Sequence, residues 1–365
     1  MLKMSECCCS ENKNISNGNC SSDNIRSDDK YCCSSGAKNQ NVPVVSTSLS
    51  LKDIIGSWKV RLNISRMDYR VEPGLYAVGK PDSDSPVLVS ANYKLTFDTL
   101  RKNLAGLNCW LIILDTKGIN VWCAAGKGTF GTDELVKRIK AVGLSEIVTH
   151  RKLILPQLSA PGVSAHNVAL RTGFSVTFGP VRASDIKTFM ADGCKATREM
   201  RTVKFTLLNR LVLTPVELAV MAKKSLFVFG IMFLINLFAA RPFNAYDFIV
   251  YAGTVIVGTV LTPVLLPFIP GKAFSWKGWV LGVCWTVFSL WLFGFFMLDS
   301  WLLAAGYLLL LPSVSAYLAM NFTGSSTYTS PSGVLKEMKI ALPLIVSAFI
   351  VGTALILINK LILLG

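Results

Sequence analysis

The sequence has 365 residues, enough for about two domains, and a formal net charge of +15. Many Lys and Arg residues gather in residues 195–210 and at Lys223 and Lys224, directly before the first long apolar run. Anionic lipid headgroups explain positive charge in that place, and this distribution argues against nucleic acid as a partner. Mixed polar and apolar residues up to about residue 215, followed by long apolar runs, predict a soluble half and a membrane half.

Residues 1–48 are predicted to form a disordered leader rich in Cys, Ser and Asn, because they hold too few large apolar side chains to build a core. The leader contains most of the ten cysteines, but their CCC, C and CC spacing differs from the CxxC pattern of metal sites. A solvated leader and a soft-metal site both remain open. Residues 1–30 lack the apolar core of a secretory signal, so we expect the soluble half in the reducing cytoplasm.

Residues 49–200 are predicted to form a Rossmann-like, doubly wound α/β domain with a parallel sheet, because short apolar runs alternate with segments of helical period. The predicted strands are 75–78, 87–91, 109–114, 153–155 and 175–178, and the predicted helices are 97–107, 133–142, 163–172 and 183–191. Ligands of such folds bind beyond the carboxyl ends of the strands. The loops after Leu114, Leu155 and Phe178 are therefore the expected site.

The rest of the chain is predicted to be a basic juxtamembrane linker, residues 201–220, and an all-α transmembrane domain, residues 221–365, with five spans. The predicted spans are 225–240, 248–269, 278–298, 301–320 and 340–358. Lysines in the loops between them favour a multi-pass protein of the cytoplasmic membrane with the α/β domain on the cytoplasmic side. Because the spans hold almost no ionisable residues, we expect an anchor and docking platform rather than a transporter.

The glycine-rich run after the strand at 109–114 reads DTKGINVWCAAGKGTFGT. It does not fit a phosphate-binding loop, because Lys127 is followed by Gly128 where Ser or Thr is needed. A dinucleotide-binding GxGxxG pattern fits Gly126, Gly128 and Gly131, but it begins too far beyond the strand. The spacing therefore argues against nucleotide and nicotinamide cofactors.

Cys123 lies in this run, among small neighbours and three residues after Asn120, a good helix cap. A helix N-terminus favours a thiolate, and small neighbours would let a bulky cofactor lie against the backbone, so the residue suits a metal ligand. Residue type alone favours the other interpretation, in which Cys123 is a small buried apolar side chain beside Trp122.

The segment NVWCAAGKG resembles the cap-helix motif of the HgcA family of mercury-methylating corrinoid proteins, and the surrounding domain is similar to the cobalamin-binding domain of the corrinoid iron–sulfur protein of acetyl-CoA synthesis. Further segments that resemble the HgcA family are PGLYAVGKP (73–81), SPVLVSANYKLTFD (85–98), LPQLSAPGVSAH (155–166), GFSVTFGPV (173–181) and NFTGSSTYTSPSGV (321–334). The leader lies outside the resemblance.

The resemblance implies a cobalamin bound with its own base displaced and the Cys123 thiolate as the lower cobalt ligand. His166, one of two histidines, is then expected on a helix surface or in the core. Expected cofactor-binding residues are Asn120, Val121, Trp122, Cys123, Ala124, Ala125, Gly126, Lys127 and Gly128, with the loop of Gln157, Leu158, Ser159, Ala160, Pro161, Gly162 and Val163 after the next strand.

The implied activity is corrinoid-dependent methyl transfer, in which methyl-Co(III) cobalamin donates its methyl group to Hg(II) and forms methylmercury. A thiolate ligand pushes electron density onto cobalt, which eases departure of the methyl group as a carbanion-like or radical species. The implied partners are a folate-dependent methyltransferase as methyl source and HgcB, a ferredoxin-like iron–sulfur protein, as electron donor. Two alternatives remain open: a membrane-attached corrinoid methyl carrier for one-carbon metabolism, and a non-enzymatic receptor or transporter component.

Overall fold

The computed structural model describes residues 42–238, 243, 245–292, 301–325 and 331–362. A six-stranded mixed sheet forms the centre of the α/β part, with strand order β1-β2-β4-β3-β5-β6. The strands are β1 (Val44–Val45), β2 (Gly74–Val78), β3 (Val87–Ala91), β4 (Cys109–Leu114), β5 (Lys152–Leu155) and β6 (Ser175–Phe178). The five strands predicted from the sequence correspond to β2 through β6.

Helices cover both faces of the sheet, which confirms the doubly wound architecture. Alternate residues of β4 show the two faces. Ile112 and Leu114 pack into one buried cluster, whereas Leu111 and Ile113 pack into a second. The helices of this part are α1 (Leu51–Arg61), α2 (Lys94–Asn103), α3 (Val121–Lys127), α4 (Thr132–Ala141), α5 (Leu144–Ile147), α6 (Ala165–Thr172), α7 (Ile186–Ala191) and α8 (Arg198–Arg201).

The sheet differs from the predicted parallel sheet at β2. Strands β3, β4, β5 and β6 run parallel, but β2 pairs antiparallel with β4. The connection from β2 to β3, residues 79–86, contains no helix and is shorter than the crossover connection that two parallel strands of one sheet require. The chain therefore reverses direction there, and the parallel winding begins only at β3.

The α/β part begins before the expected boundary at residue 49. β1 pairs with β2, and the Arg101 guanidinium donates hydrogen bonds to the carbonyl oxygens of Ser46 and Ser48. The predicted leader lies outside the described residues up to residue 41, whereas residues 42–48 belong to the sheet edge.

The C-terminal part is helical. Its elements are α9 (Leu207–Phe238), α10 (Ala245–Ile256), a π-helical turn (Val257–Leu261), α11 (Thr262–Leu265), α12 (Phe274–Leu292), α13 (Trp301–Asn321) and α14 (Pro331–Ile362). Residues 207–220, expected to be a linker, are the first turns of α9, which continues through Lys223 and Lys224 into the apolar run as one helix.

Four of the described helical segments are long and apolar enough to cross a membrane. They are Leu207–Leu237, Ala245–Leu265, Trp301–Asn321 and Ser332–Asn359. The other predicted span, residues 278–298, corresponds to α12, and residues 293–298 lie outside the described residues. Membrane association is therefore supported by length and composition.

Glycines let the helices α12 and α13 approach closely. A Cβ atom at Gly278 would lie 2.5 Å from the Ala319 Cβ and 2.7 Å from the Ser315 carbonyl oxygen. The Ser315 hydroxyl donates a hydrogen bond of 2.7 Å to the Gly278 carbonyl oxygen. Small residues at such contacts are typical of helix pairs in membranes.

We expect Gly278→Ala to destabilise the helical part by about 1–3 kcal/mol, because the added methyl group overlaps backbone atoms of α13. Unfolding of the full chain in mixed micelles, followed by circular dichroism, measures the change. Gly230→Ala on α9 is the matched control, because a Cβ there meets nothing within 4 Å. Equal stability of the two variants would contradict the packing described here.

Candidate functional site

A cleft with a volume of about 440 Å³ opens at the carboxyl ends of β3 and β5. The chain leaves β3 toward β4 on one side of the sheet and leaves β5 toward β6 on the other, so this is the point where the winding direction reverses. Ligands of doubly wound folds bind at such switch points. The lining is mostly apolar and includes Leu88, Val89, Tyr93, Val121, Trp122, Leu155, Leu158, Pro180 and Val181, with Ser90, Thr96, Thr99 and Asn120 as polar members.

The loop between β4 and α3 is held by the buried side chain of Asn92, which follows β3. The Asn92 Oδ1 accepts hydrogen bonds from the Thr116 N–H, the Thr116 hydroxyl and the Gly118 N–H, at 3.2, 2.9 and 3.0 Å. Its amide nitrogen donates to the Asp115 carboxylate at 3.3 Å. Because buried polar groups need partners, this set of bonds favours one arrangement of the loop and fixes where α3 begins.

Helix α3 carries the predicted metal ligand. Asn120 caps the helix, and its side-chain oxygen accepts a hydrogen bond of 2.9 Å from the Cys123 N–H. Ala124 and Ala125 are buried in the sheet core, and Trp122 is 39% exposed. Cys123 is partly buried on the first turn, directly after the cleft-lining residues Asn120, Val121 and Trp122, and is not itself part of the lining.

The loop after β5 touches α3 through a glycine. Residues Gln157–Ser159 form a 3₁₀ turn, and Ser159 is fully buried. A Cβ at Gly162 would overlap the Phe130 carbonyl oxygen and lie 3.0 Å from the Ala125 Cα. The close approach of the two loops therefore requires a residue without a side chain at this position.

Gln157 has an unpaired polar atom in this loop. Its side-chain oxygen Oε1 is buried and accepts no hydrogen bond from any residue that the structure describes. Such a group costs free energy unless water or a ligand provides a donor. In the described 157–163 segment, Gln157 Oε1 is the only buried side-chain oxygen without a hydrogen-bond partner.

The expected site residues thus fall into three groups. Those that line the cleft are Asn120, Val121, Trp122 and Leu158. Those that are buried in packing are Ala124, Ala125, Ser159 and Val163. Those that lie outside the lining with partial or full exposure are Cys123, Gly126, Lys127, Gly128, Gln157, Ala160, Pro161 and Gly162.

The segment around the carboxyl end of β3 was not expected, although it lines the cleft through Ser90 in β3, Tyr93 in the following loop and Thr96 in α2. Burial raises the pKa of the Tyr93 phenol above its ordinary value, against the opposing charges of Arg66 and Arg61. The sequence did contain a signal for this segment. Strand 87–91 was predicted correctly, and the residues NYKLT that follow its carboxyl end are in the place where ligands of such folds bind. Arg61, at the end of α1, also lines the cleft.

Protein side chains alone do not form a metal site among the described residues, because they contain no group of three or more His, Cys, Asp or Glu able to hold an ion. Of the described cysteines, Cys109 is fully buried in β4, and burial raises the pKa of its thiol to about 12. A metal bound through Cys123 would have to bring most of its own ligands, as a macrocycle does.

We expect Gly162→Ala to destabilise the α/β part by about 1–3 kcal/mol, because the methyl group would push the 157–163 loop away from α3. Gly126→Ala is the matched control. Its Cβ meets nothing within 4 Å, and alanine favours a helix by about 0.5–1 kcal/mol over glycine. Thermal unfolding of both full-length variants measures the difference, and an unchanged midpoint for Gly162→Ala would contradict the close contact.

Comparison with known proteins matches the α/β part. Residues 44–190 match the family described as CO dehydrogenase/acetyl-CoA synthase delta subunit. The chain is 33% identical to the acetyl-CoA decarbonylase/synthase complex subunit gamma of Methanocaldococcus jannaschii over 127 residues, which are 34% of this chain and 26% of the relative. It is 34% identical to that of Methanopyrus kandleri over 127 residues, 34% of this chain and 27% of the relative.

The subunit gamma 2 of Methanosarcina thermophila is 38% identical over 99 residues, 26% of this chain and 21% of the relative. The chain thus matches about a quarter of the length of these relatives. Their names agree with the expected resemblance to acetyl-CoA synthesis proteins and leave mercury methylation a prediction. The domain that carries the cleft, α3 and Cys123 is similar to subunits of the CO dehydrogenase/acetyl-CoA synthase system.

Proposed function

We propose that this chain is a membrane-attached corrinoid protein that transfers methyl groups, with Cys123 as the lower ligand of cobalt. One observation carries the proposal: Cys123 lies on a capped first turn beside an apolar cleft at the switch point, within the segment that matches the acetyl-CoA synthase system. A bound corrinoid would supply a cobalt centre that accepts and releases a methyl group.

The residues at the cleft suit a large, mostly apolar cofactor with amide side chains. The lining is predominantly apolar. Gln157 is not part of the lining but stands in the chain between the lining residues Pro156 and Leu158, and its buried Oε1 can accept a hydrogen bond from an amide N–H. A corrinoid exceeds a cleft of about 440 Å³, so the remainder would extend past the rim. Space beside the exposed Gly126, where even a Cβ would meet nothing, is consistent with this arrangement.

The protein's contribution to the chemistry would be to hold one soft ligand in place. The Asn120 cap fixes the backbone of Cys123, and the Asn92 hydrogen bonds fix the loop that precedes the cap. A thiolate donates more electron density to a metal than imidazole does. This favours release of a methyl group together with its bonding electrons, which an electrophilic acceptor requires.

For the acceptor we propose Hg(II), with methylmercury as product, a folate-dependent methyltransferase as methyl source and a ferredoxin-like iron–sulfur protein of the HgcB type as electron donor. The resemblance of NVWCAAGKG to the mercury-methylating family supports this acceptor. The names of the relatives favour a second candidate, a methyl carrier in one-carbon metabolism. Both candidates need the same cofactor with Cys123 as a ligand of cobalt, but only an electrophilic acceptor needs the methyl group to leave with its bonding electrons.

The cofactor is tested with full-length protein in detergent, reconstituted with cobalamin under reducing conditions. We expect stoichiometric cobalt and a visible spectrum typical of thiolate ligation, and we expect Cys123→Ala to lose that spectrum while its circular dichroism is retained. Cys194→Ala is the matched control, because Cys194 is also partly buried but does not line the cleft. Identical spectra of Cys123→Ala and the unaltered protein would exclude the proposed ligand.

A labelling experiment gives a second, independent measurement. Bound cobalamin should protect Cys123 from alkylation, whereas Cys194 should be modified with and without the cofactor. Cys109 should remain unmodified in both samples, because it is buried and its thiol has a pKa of about 12. Peptide mass spectrometry reads all three positions, and equal alkylation of Cys123 in both samples would argue against the site.

The two acceptors are separated by incubating the methyl-loaded protein with Hg(II) or with a thiol. If Hg(II) is the acceptor, methylmercury should form, and Cys123→Ala should lower the rate of its formation by more than about 100-fold. Removal of a residue that only hydrogen-bonds to a metal ligand already costs up to about 100-fold, and removal of the ligand itself should cost more. Methyl transfer to the thiol without methylmercury would instead support the one-carbon candidate.

A further inference from the structure

Helix α1 presents a row of large apolar side chains to the outside. Leu51, Ile55, Trp58 and Leu62 are 78%, 56%, 63% and 45% exposed, and we call these four residues the apolar ridge of α1. Their spacing places them on one face of the helix. In most helices this spacing belongs to the face that packs against the core, yet in α1 that face is exposed. Exposed apolar patches of this kind mark surfaces that bind a protein or a membrane.

The opposite face of α1 is firmly attached to the α/β domain. Asp53 forms ion pairs with Lys94 and Arg101 at 2.6 and 2.8 Å, and Val60 is buried. Although burial opposes it, hydrogen bonds from Lys94, Ser50 and Arg101 hold the pKa of Asp53 well below its usual range. The ridge is therefore exposed because the helix is anchored through its other side.

Basic side chains flank the ridge. Lys52 and Lys59 lie along one side of it and Arg61 along the other, as the helical period requires. An apolar face with Trp at its centre and Lys or Arg along its edges is typical of helices that lie in the surface of a lipid bilayer. A protein partner would not by itself explain positive charge on both sides.

The position of α1 supports the same occupant. α1 contacts α9, whose residues Leu207–Leu237 form a candidate membrane span. Arg66, in the loop after α1, interacts electrostatically with Glu217 of α9. Exposed apolar side chains also occur on the first turns of α9, at Leu208 and Leu211. The helix that carries the ridge therefore contacts a helix of the membrane part that has exposed apolar side chains of its own.

We propose that α1 lies in the interface of the membrane that the C-terminal helices cross, with its apolar ridge among the upper acyl chains and its flanking basic residues against anionic headgroups. The inference stands on α1 and α9 and is independent of the cofactor proposed for the cleft. It makes α1 a second, peripheral attachment of the α/β domain.

Site-specific photo-crosslinking tests this position in the full-length protein. A photoreactive amino acid replaces Trp58, and the protein is reconstituted into vesicles of phosphatidylethanolamine and phosphatidylglycerol. Leu170 is the matched negative control, because it is 72% exposed on α6, a helix that packs against α4 and β6. Leu344 on α14 is the positive control, because it is 67% exposed within a candidate span.

After irradiation, mass spectrometry identifies what is attached at each position. We expect lipid adducts at positions 58 and 344 and none at 170. Lipid adducts at 344 without any at 58 would overturn the proposal. So would adducts at 58 with a second protein in place of lipid when irradiation is carried out in native membranes, because the ridge would then be a protein interface.

Discussion

The side-chain oxygen of Asn92 accepts three hydrogen bonds from the loop that follows β4, and the position of α3 depends on them. Where parallel strands end, their backbone groups lose their partners in the sheet. The buried Asn92 side chain, just after β3, provides a hydrogen-bond acceptor for backbone N–H groups of the loop that follows the neighbouring strand β4. Asn120 can then cap α3 beside the cleft. A single buried side chain thus connects the sheet to the turn that carries Cys123.

The contact at Gly162 extends this support to the other side of the switch point. α3 rests on the loop after β5, and the two loops come from strands on opposite sides of β3. The contact is close enough that even a Cβ atom at Gly162 would overlap the Phe130 carbonyl oxygen. The cleft is thus bounded by two segments in close contact, which is consistent with the cofactor site proposed above.

Much of the fold follows from local pattern. Strands β3, β4 and β6 begin and end at the predicted residues, because buried strands between turn residues give a clear apolar run. The antiparallel direction of β2 was missed, although the short connection between the predicted strands, residues 79–86, was a signal for it. Asn92 was missed for a different reason: nothing local distinguishes an asparagine that binds a loop two dozen positions away. The apolar ridge of α1 has the spacing of a buried face, and only the assembled domain reveals that the polar side is the one docked.

The placement of Arg61 gives α1 a further consequence. This residue ends α1 and also lines the cleft. Because Arg61 both flanks the apolar ridge and lines the cleft, the cleft opens beside the side of α1 that we place in the membrane. If α1 lies on lipid, a molecule confined to the bilayer would reach the cleft by diffusion in the plane of the membrane rather than through the aqueous phase. An uncharged product leaving the cleft would meet hydrocarbon almost as soon as water.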